Sequence, residues 1–241
     1  MRTIRIISRL SLAGFVLFAA AAVAVNAQTM QGSKPEEGAK QAQKATDVLG
    51  EIMRTPEKGI PQDLLDKAEC VMVFPKVVKG AFIVGAQGGR GVASCRTPSG
   101  WSAPAYFEIK GGSFGLQIGG QETDFVLLVM NESGMKSLLS DKFELGGDAS
   151  VSAGPVGRTA SASTDVKLDA QILSYSRSKG AFAGVSLKGS AISPEKSDNE
   201  DTYGKGTKAA TILATDKKRA PAAVQVFPNA LAQYSARTAR Q

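Results

Sequence analysis

No histidine occurs anywhere in the 241 residues. Its absence removes the side chain whose charge changes near neutral pH, and with it an imidazole-activated serine nucleophile and histidine-ligated zinc. Only two cysteines are present, Cys70 and Cys95. Two are too few for a structural zinc site, and in an oxidising compartment a disulfide between them is the more natural state, with two buried thiols as the alternative. Aromatic residues make up 6% of the chain and none interleaves with a basic run, so the usual pattern for nucleic-acid binding is missing. The longest apolar run, residues 10 to 25, falls short of the roughly 20 residues that a membrane-spanning helix needs. The carboxylate groups Asp165 with Asp169, and Asp198 with Glu200 and Asp201, sit in no pattern that marks a metal or acid–base site and read as solvated turns. The chain is therefore expected to be non-enzymatic, with no cofactor and no metal.

The beginning of the chain sets the expected compartment. Arg2, Arg5 and Arg9 precede the apolar run, and Val25-Asn26-Ala27 places small residues where a signal peptidase reads. Residues 1–27 are read as a signal peptide and the product as periplasmic or extracellular. The formal net charge of +7 is unevenly spread. Residues 28–204 carry 19 basic and 21 acidic side chains, whereas residues 205–241 carry seven basic and one acidic, peaking at Lys217-Lys218-Arg219. Such a basic tail fits an anionic membrane surface, at about 1 kcal/mol per basic residue, or a solvated frayed terminus.

Periodicity gives the elements. From Glu36 to Arg54 apolar residues recur at three- and four-residue steps, which predicts an amphipathic helix within an N-terminal helical segment, residues 28–55. Half of its apolar stripe is alanine, which fits core packing better than insertion into a membrane interface. A short helix is expected after Pro61. The period then changes: strands are expected at 70–74, 77–86, 90–96, 103–109 and 113–118, separated by glycine-rich turns, as an antiparallel meander. The run 123–130 reads as a strand or a helix, and Asn131-Glu132-Ser133 as the cap of a short helix. Alanine alternates with serine on both sides of Gly154-Pro155-Val156-Gly157, which predicts a hairpin whose small side chains require a close neighbour. Strands at 171–175 and 181–188 and helices at 207–215 and 228–237 complete the reading. The expected class is α+β: a single domain with an antiparallel, barrel- or sandwich-like glycine-rich β-sheet flanked by N- and C-terminal helices.

Several motifs in order carry a family resemblance: Gly59-Ile60-Pro61, Val73-Phe74-Pro75, Lys79-Gly80-Ala81-Phe82, Gly100-Trp101-Ser102-Ala103-Pro104, Gly115-Leu116-Gln117-Ile118-Gly119, Thr123-Asp124, Gly154-Pro155-Val156-Gly157-Arg158 and Tyr175-Ser176-Arg177-Ser178-Lys179-Gly180. Together they resemble the SYLF-domain family over residues 56–204, in its bacterial branch and related to the fungal actin-binding YSC-like domain. The resemblance implies a lipid-binding module. Its eukaryotic members bind phosphoinositides, its fungal ones also bind actin, and its bacterial ones are typically exported. An exported protein without a Src-homology-3 or FYVE module would not ordinarily meet actin, so actin is not expected as a partner. Lys76, Lys79, Arg177 and Lys179 lie beside glycine turns, where charge combines with backbone N–H groups. They are the candidates for an anionic phospholipid or phosphoinositide headgroup. The alternative is a periplasmic structural or interaction module that pairs with another protein through its glycine-rich sheet.

Overall fold

The computed structural model describes residues 34–54, 59–81, 84–114, 119–156, 170–178, 181–184 and 187–236. Helix α1 (Lys34–Met53) forms where periodicity places it, and its stripe of Ala42, Ala45, Leu49 and Ile52 is fully buried. The stripe packs on β1 (Cys70–Ala81) and β2 (Val84–Thr97), so this helix belongs to the core. Pro61 precedes α2 (Gln62–Lys67), which buries Leu64 and Leu65.

The remaining strands are β3 (Gly100–Trp101), β4 (Ala105–Phe114), β5 (Gly119–Val129), β6 (Phe143–Glu144), β7 (Val151–Ala153), β8 (Ile172–Ser178), β9 (Ala181–Gly184) and β10 (Ser190–Pro194). They run in the order β6-β10-β4-β2-β1-β5-β8-β7, with β3 paired to β2 and β9 to β8. Helices α3 (Glu132–Leu138), α4 (Lys196–Tyr203), α5 (Ala209–Leu213) and α6 (Val226–Tyr234) pack with it, the last two joined by 3-10 turns at Lys217–Arg219 and Ala222–Val224. The α+β class is as expected: one curled half-barrel sheet packed with N- and C-terminal helices. The sheet is mixed rather than purely antiparallel, because β7 runs parallel to β8 with Val151 opposite Ile172.

The differences from the expected elements have local causes. Residues 70–74 and 77–81 form one strand interrupted by a bulge, where Pro75 has no N–H for the ladder and Lys76 takes φ 52°. A Cβ at Gly91 of β2 would overlap the Val73 carbonyl oxygen and the Phe74 ring, so glycine there lets the two strands close on each other at the bulge. The run 123–130 is strand β5, and Asn131 caps α3 by accepting the Gly134 N–H at 3.0 Å. The first alanine–serine arm is β7. The second arm, 160–163, lies outside the described residues. Just after the first arm, a Cβ at Gly154 would overlap the ring of Tyr175, the close neighbour on that side.

Two boundaries also change. Strand β10 and helix α4 follow 181–184 without having been expected, and residues 205–236 fold into the molecule instead of trailing from it. Phe227 and Leu231 of α6 are fully buried, and the carbonyl of Ser235 accepts the Trp101 indole N–H at 2.8 Å.

Three phenols in this core set a pH dependence. Burial pushes Tyr106 up to about 12, and Tyr175 and Tyr203 are likewise raised by burial. Above pH 10 the unfolded chain loses these protons while the fold retains them, so stability falls as pH rises through that window and is intact below it. Each such group contributes about 1.4 kcal/mol per pH unit. Denaturant midpoints are expected to fall progressively from about pH 10 to about pH 12, and Tyr175→Phe is expected to flatten the slope.

Candidate functional site

Two basic regions are candidates, and the structure treats them differently. The first forms around the bulge of β1. Because Lys76 is turned out of the ladder, its N–H donates to Asp124 Oδ1 at 2.8 Å. Asp124 Oδ2 accepts from Arg177 Nε at 2.8 Å and lies 2.6 Å from Nη2, and Nη1 of Arg177 pairs with Glu51 of α1. Burial pushes the Asp124 carboxyl upward, opposed by the Lys76 N–H and ammonium. Lys76 and Arg177, both singled out from the sequence, are therefore brought together, but on a carboxylate already present. Arg177 is not a free turn residue: the fold uses it to tie α1, β5 and β8.

Lys76 keeps its own ammonium outward, 69% exposed, with Glu122 at 3.7 Å. Lys79 lies 5.6 Å from the centroid of the Phe125 ring. Lys179 lies outside the described residues. β1, β4 and β8 run in the same direction, so the ends that lead to 82–83, 115–118 and 179–180 share one end of the sheet.

The second region is the turn Lys217–Arg219. Asp216 Oδ1 accepts the Lys218 N–H at 2.8 Å, and its carbonyl accepts the Arg219 N–H at 3.0 Å. A hydrogen bond from Ser99 and the Lys218 N–H hold the Asp216 carboxyl below the usual carboxylate range, so the cap is charged at neutral pH. The turn is tied to the sheet through the Ala103 N–H, which donates to the Thr215 carbonyl at 2.8 Å, and the bridge between Ser102 and Asp216. Buried Ala220 and Val224 hold its other side. Lys218 and Arg219 are exposed and Lys217 is half-buried. This basic cluster is thus presented on a fixed backbone, where charge alone had left a frayed terminus equally open.

Beside the turn runs a groove that is mostly apolar where it lies between α3 and α5. One part, about 290 Å³, is lined by Pro98, Met135, Leu139, Ala210, Leu213 and Ala214 with Arg96 and Thr97. A neighbouring part of about 510 Å³ shares Met135 and Leu139 and adds Met130, Asn131, Lys136, Glu69 and Glu132. Leu139, which lines both parts, is 42% exposed. The groove was not legible beforehand. Its members come from three separate segments, and the only local signal was a leucine following the last turn of a short capped helix.

Elsewhere, the acidic cluster is spoken for. Asp198 meets Arg90 at 3.4 Å, and Glu200 accepts the Gly206 N–H at 3.1 Å. Among the described residues no three potential metal ligands come together, and Asp165 and Asp169 lie outside them.

Comparison with known proteins adds the family. The family model described as "Ysc84: Las17-binding protein actin regulator" matches residues 110–234, a span that includes Arg177 and the basic turn. The human SH3 domain-containing YSC84-like protein 1 is 31% identical over 205 residues, covering 82% of this chain and 60% of that protein. LAS seventeen-binding protein 3 of Saccharomyces cerevisiae is 33% identical over 202 residues, covering 80% of this chain and 44% of that protein. The Xenopus laevis SH3 domain-containing YSC84-like protein 1 is 32% identical over 182 residues, 73% of this chain and 54% of that protein. The chain thus spans roughly half of the length of the relatives it matches.

Proposed function

The chain belongs to the Ysc84 family, a family of binding modules, and on that premise we propose that it is an exported module that attaches to anionic phospholipid surfaces. The observation that carries this reading is the basic turn: three consecutive cations on a backbone fixed by the Asp216 cap and the bridge to Ser102. A fixed turn loses little conformational freedom on binding, so more of its electrostatic attraction appears as affinity. Lys76 and Lys79 supply further charge at the glycine-rich end, whereas Arg177 acts as scaffold. A fixed cationic turn in a chain without histidine supports attachment, not turnover.

Neutralising the turn tests this. At about 1 kcal/mol per basic residue near an anionic surface, the Lys217→Gln, Lys218→Gln, Arg219→Gln triple variant is expected to bind phosphatidylglycerol vesicles on the order of a hundredfold more weakly than wild type. Lys76→Gln is expected to weaken binding by no more than about fivefold. Equal binding by the triple variant and wild type would remove the turn from the mechanism.

The family description favours a second reading, in which the domain recognises a protein. It names Las17 binding and actin regulation. Export argues against actin as the partner here, and co-sedimentation with actin filaments at saturating vesicle-free protein distinguishes the two readings.

A further inference from the structure

The groove between α3 and α5 has no role in the electrostatic attachment described above, yet its chemistry matches that site's ligand. We infer that it receives one acyl chain of the anionic lipid whose headgroup the Lys217–Arg219 turn holds; the inference rests on the lipid-binding reading. Three observations converge on it.

First, the narrower part is mostly apolar, and two methionines make the groove adaptable. Met130 and Met135 are unbranched thioethers that conform to an irregular chain, Leu213 forms a buried wall, and exposed Leu139 stands between the two parts of the groove. Second, the space suits a small ligand. Parts of about 290 and 510 Å³ that share Met135 and Leu139 fall around the range typical of small-molecule sites, roughly 300–1,000 Å³. Behind it, the Met135 sulfur lies against Cys70, which is bonded to Cys95.

Third, the charges fix an orientation. Ala214 lines the narrower part, and the basic turn begins three residues later, held to the sheet by the bridge between Ser102 and Asp216. Glu69 and Glu132 line the wider part, with Lys136. An amphiphile with an anionic head is attracted to the Lys217 end and repelled from the carboxylates, so its head sits on the turn and its chain runs toward Met130. A neutral amphiphile gains nothing from that arrangement.

The test uses the folded protein and soluble lysophosphatidylglycerols below their micelle concentrations, measured by calorimetry. Glycerophosphoglycerol serves as the chainless headgroup, and octanoyl and myristoyl forms report chain length. Burying a methylene is worth about fourfold in affinity, so the myristoyl form is expected to bind at least about tenfold more tightly than glycerophosphoglycerol. Ala214→Trp places a ring in the narrow part from an exposed position and is expected to bring that ratio to within about twofold. Leu139→Gln, also exposed, is expected to lower it, and serves if Ala214→Trp lowers the melting temperature. The triple variant of the basic turn is expected to weaken all three ligands while preserving the ratio.

A wild-type ratio near one, or a ratio unchanged in both groove variants, overturns the proposal. So does a shift of Ala214→Trp in sedimentation velocity without a change in the ratio, which would make a second copy of the chain the occupant. Chain-dependent binding by a protein that ignores vesicles would keep the groove and reject the surface reading. Vesicle binding without chain dependence would do the reverse.

Discussion

Arg96→Ala is expected to lower folding stability by about 3–5 kcal/mol and to release the end of the chain from the sheet. Arg96 is 7% exposed and follows the disulfide cysteine Cys95. Its Nε donates to the Ala68 carbonyl at 3.2 Å and its Nη2 to the Leu65 carbonyl at 3.2 Å. These carbonyls lie at the C-terminal end of α2, where a cation also complements the helix dipole. Nη1 donates to the Ser235 carbonyl at 3.1 Å, Nη2 to its hydroxyl at 2.6 Å, and the guanidinium carbon sits 3.9 Å from the centroid of the Trp101 ring. One planar, five-donor group thus satisfies acceptors from two distant parts of the chain. Alanine leaves those carbonyls buried and short of donors, and each such loss costs about 1–3 kcal/mol.

Arg96→Lys keeps the charge but not the fork, and it is expected to recover less than half of the loss. The measurement is a pair of urea titrations, with hydrogen exchange across 226–236 to locate the opening. A midpoint within error of wild type for Arg96→Ala would mean that the C-terminal segment is held by other contacts. Because α6 and the basic turn lie on the same returning segment, this residue also supports the site from a distance.

The second large effect concerns the cysteines. Cys70 and Cys95 face each other in the β1–β2 register, with Cα atoms 4.0 Å apart, 25 residues apart in sequence, and a bond between the sulfurs. On the chain-entropy account, a loop of that size is worth roughly 3–4 kcal/mol through restriction of the unfolded chain. The Cys70→Ala, Cys95→Ala double variant is expected to lose about that much. Wild type unfolded with a reductant is expected to shift its urea midpoint by a similar amount. Native protein should react with no thiol reagent, since neither side chain is more than 1% exposed. Two titratable thiols on denaturation without reductant, or a midpoint indifferent to reductant, would contradict the bond.

Much of the architecture was readable because one pattern dominated locally. The stripe of α1 and the Asn131 cap each depend on residues within a few positions of one another. The bulge was not readable: Pro75 looked like a break between two strands, whereas the ladder resumes at Val77 because the Lys76 N–H finds Asp124. Helix α4, Lys-Ser-Asp-Asn-Glu-Asp-Thr-Tyr, has no apolar stripe to reveal it. It is held by Asn199, which is 1% exposed and bonds the N–H and carbonyl of Tyr106 at 2.9 Å each.

The site was half legible for the same reason. Sequence identifies a basic residue but not its counter-charge, so Arg177 looked available until β5 and α1 brought Asp124 and Glu51 to it. Lys217-Lys218-Arg219 looked like part of a tail because the charge count over 205–241 hides the buried Ile212, Leu213, Val224, Phe227 and Leu231 around it.

The account stands most directly on co-sedimentation of the wild-type protein with phosphatidylglycerol and with phosphatidylcholine vesicles across a salt series. Binding to the first alone, falling steadily as sodium chloride rises, is the predicted result. Equal binding to both lipids, or binding to phosphatidylglycerol that salt leaves unchanged, would contradict it.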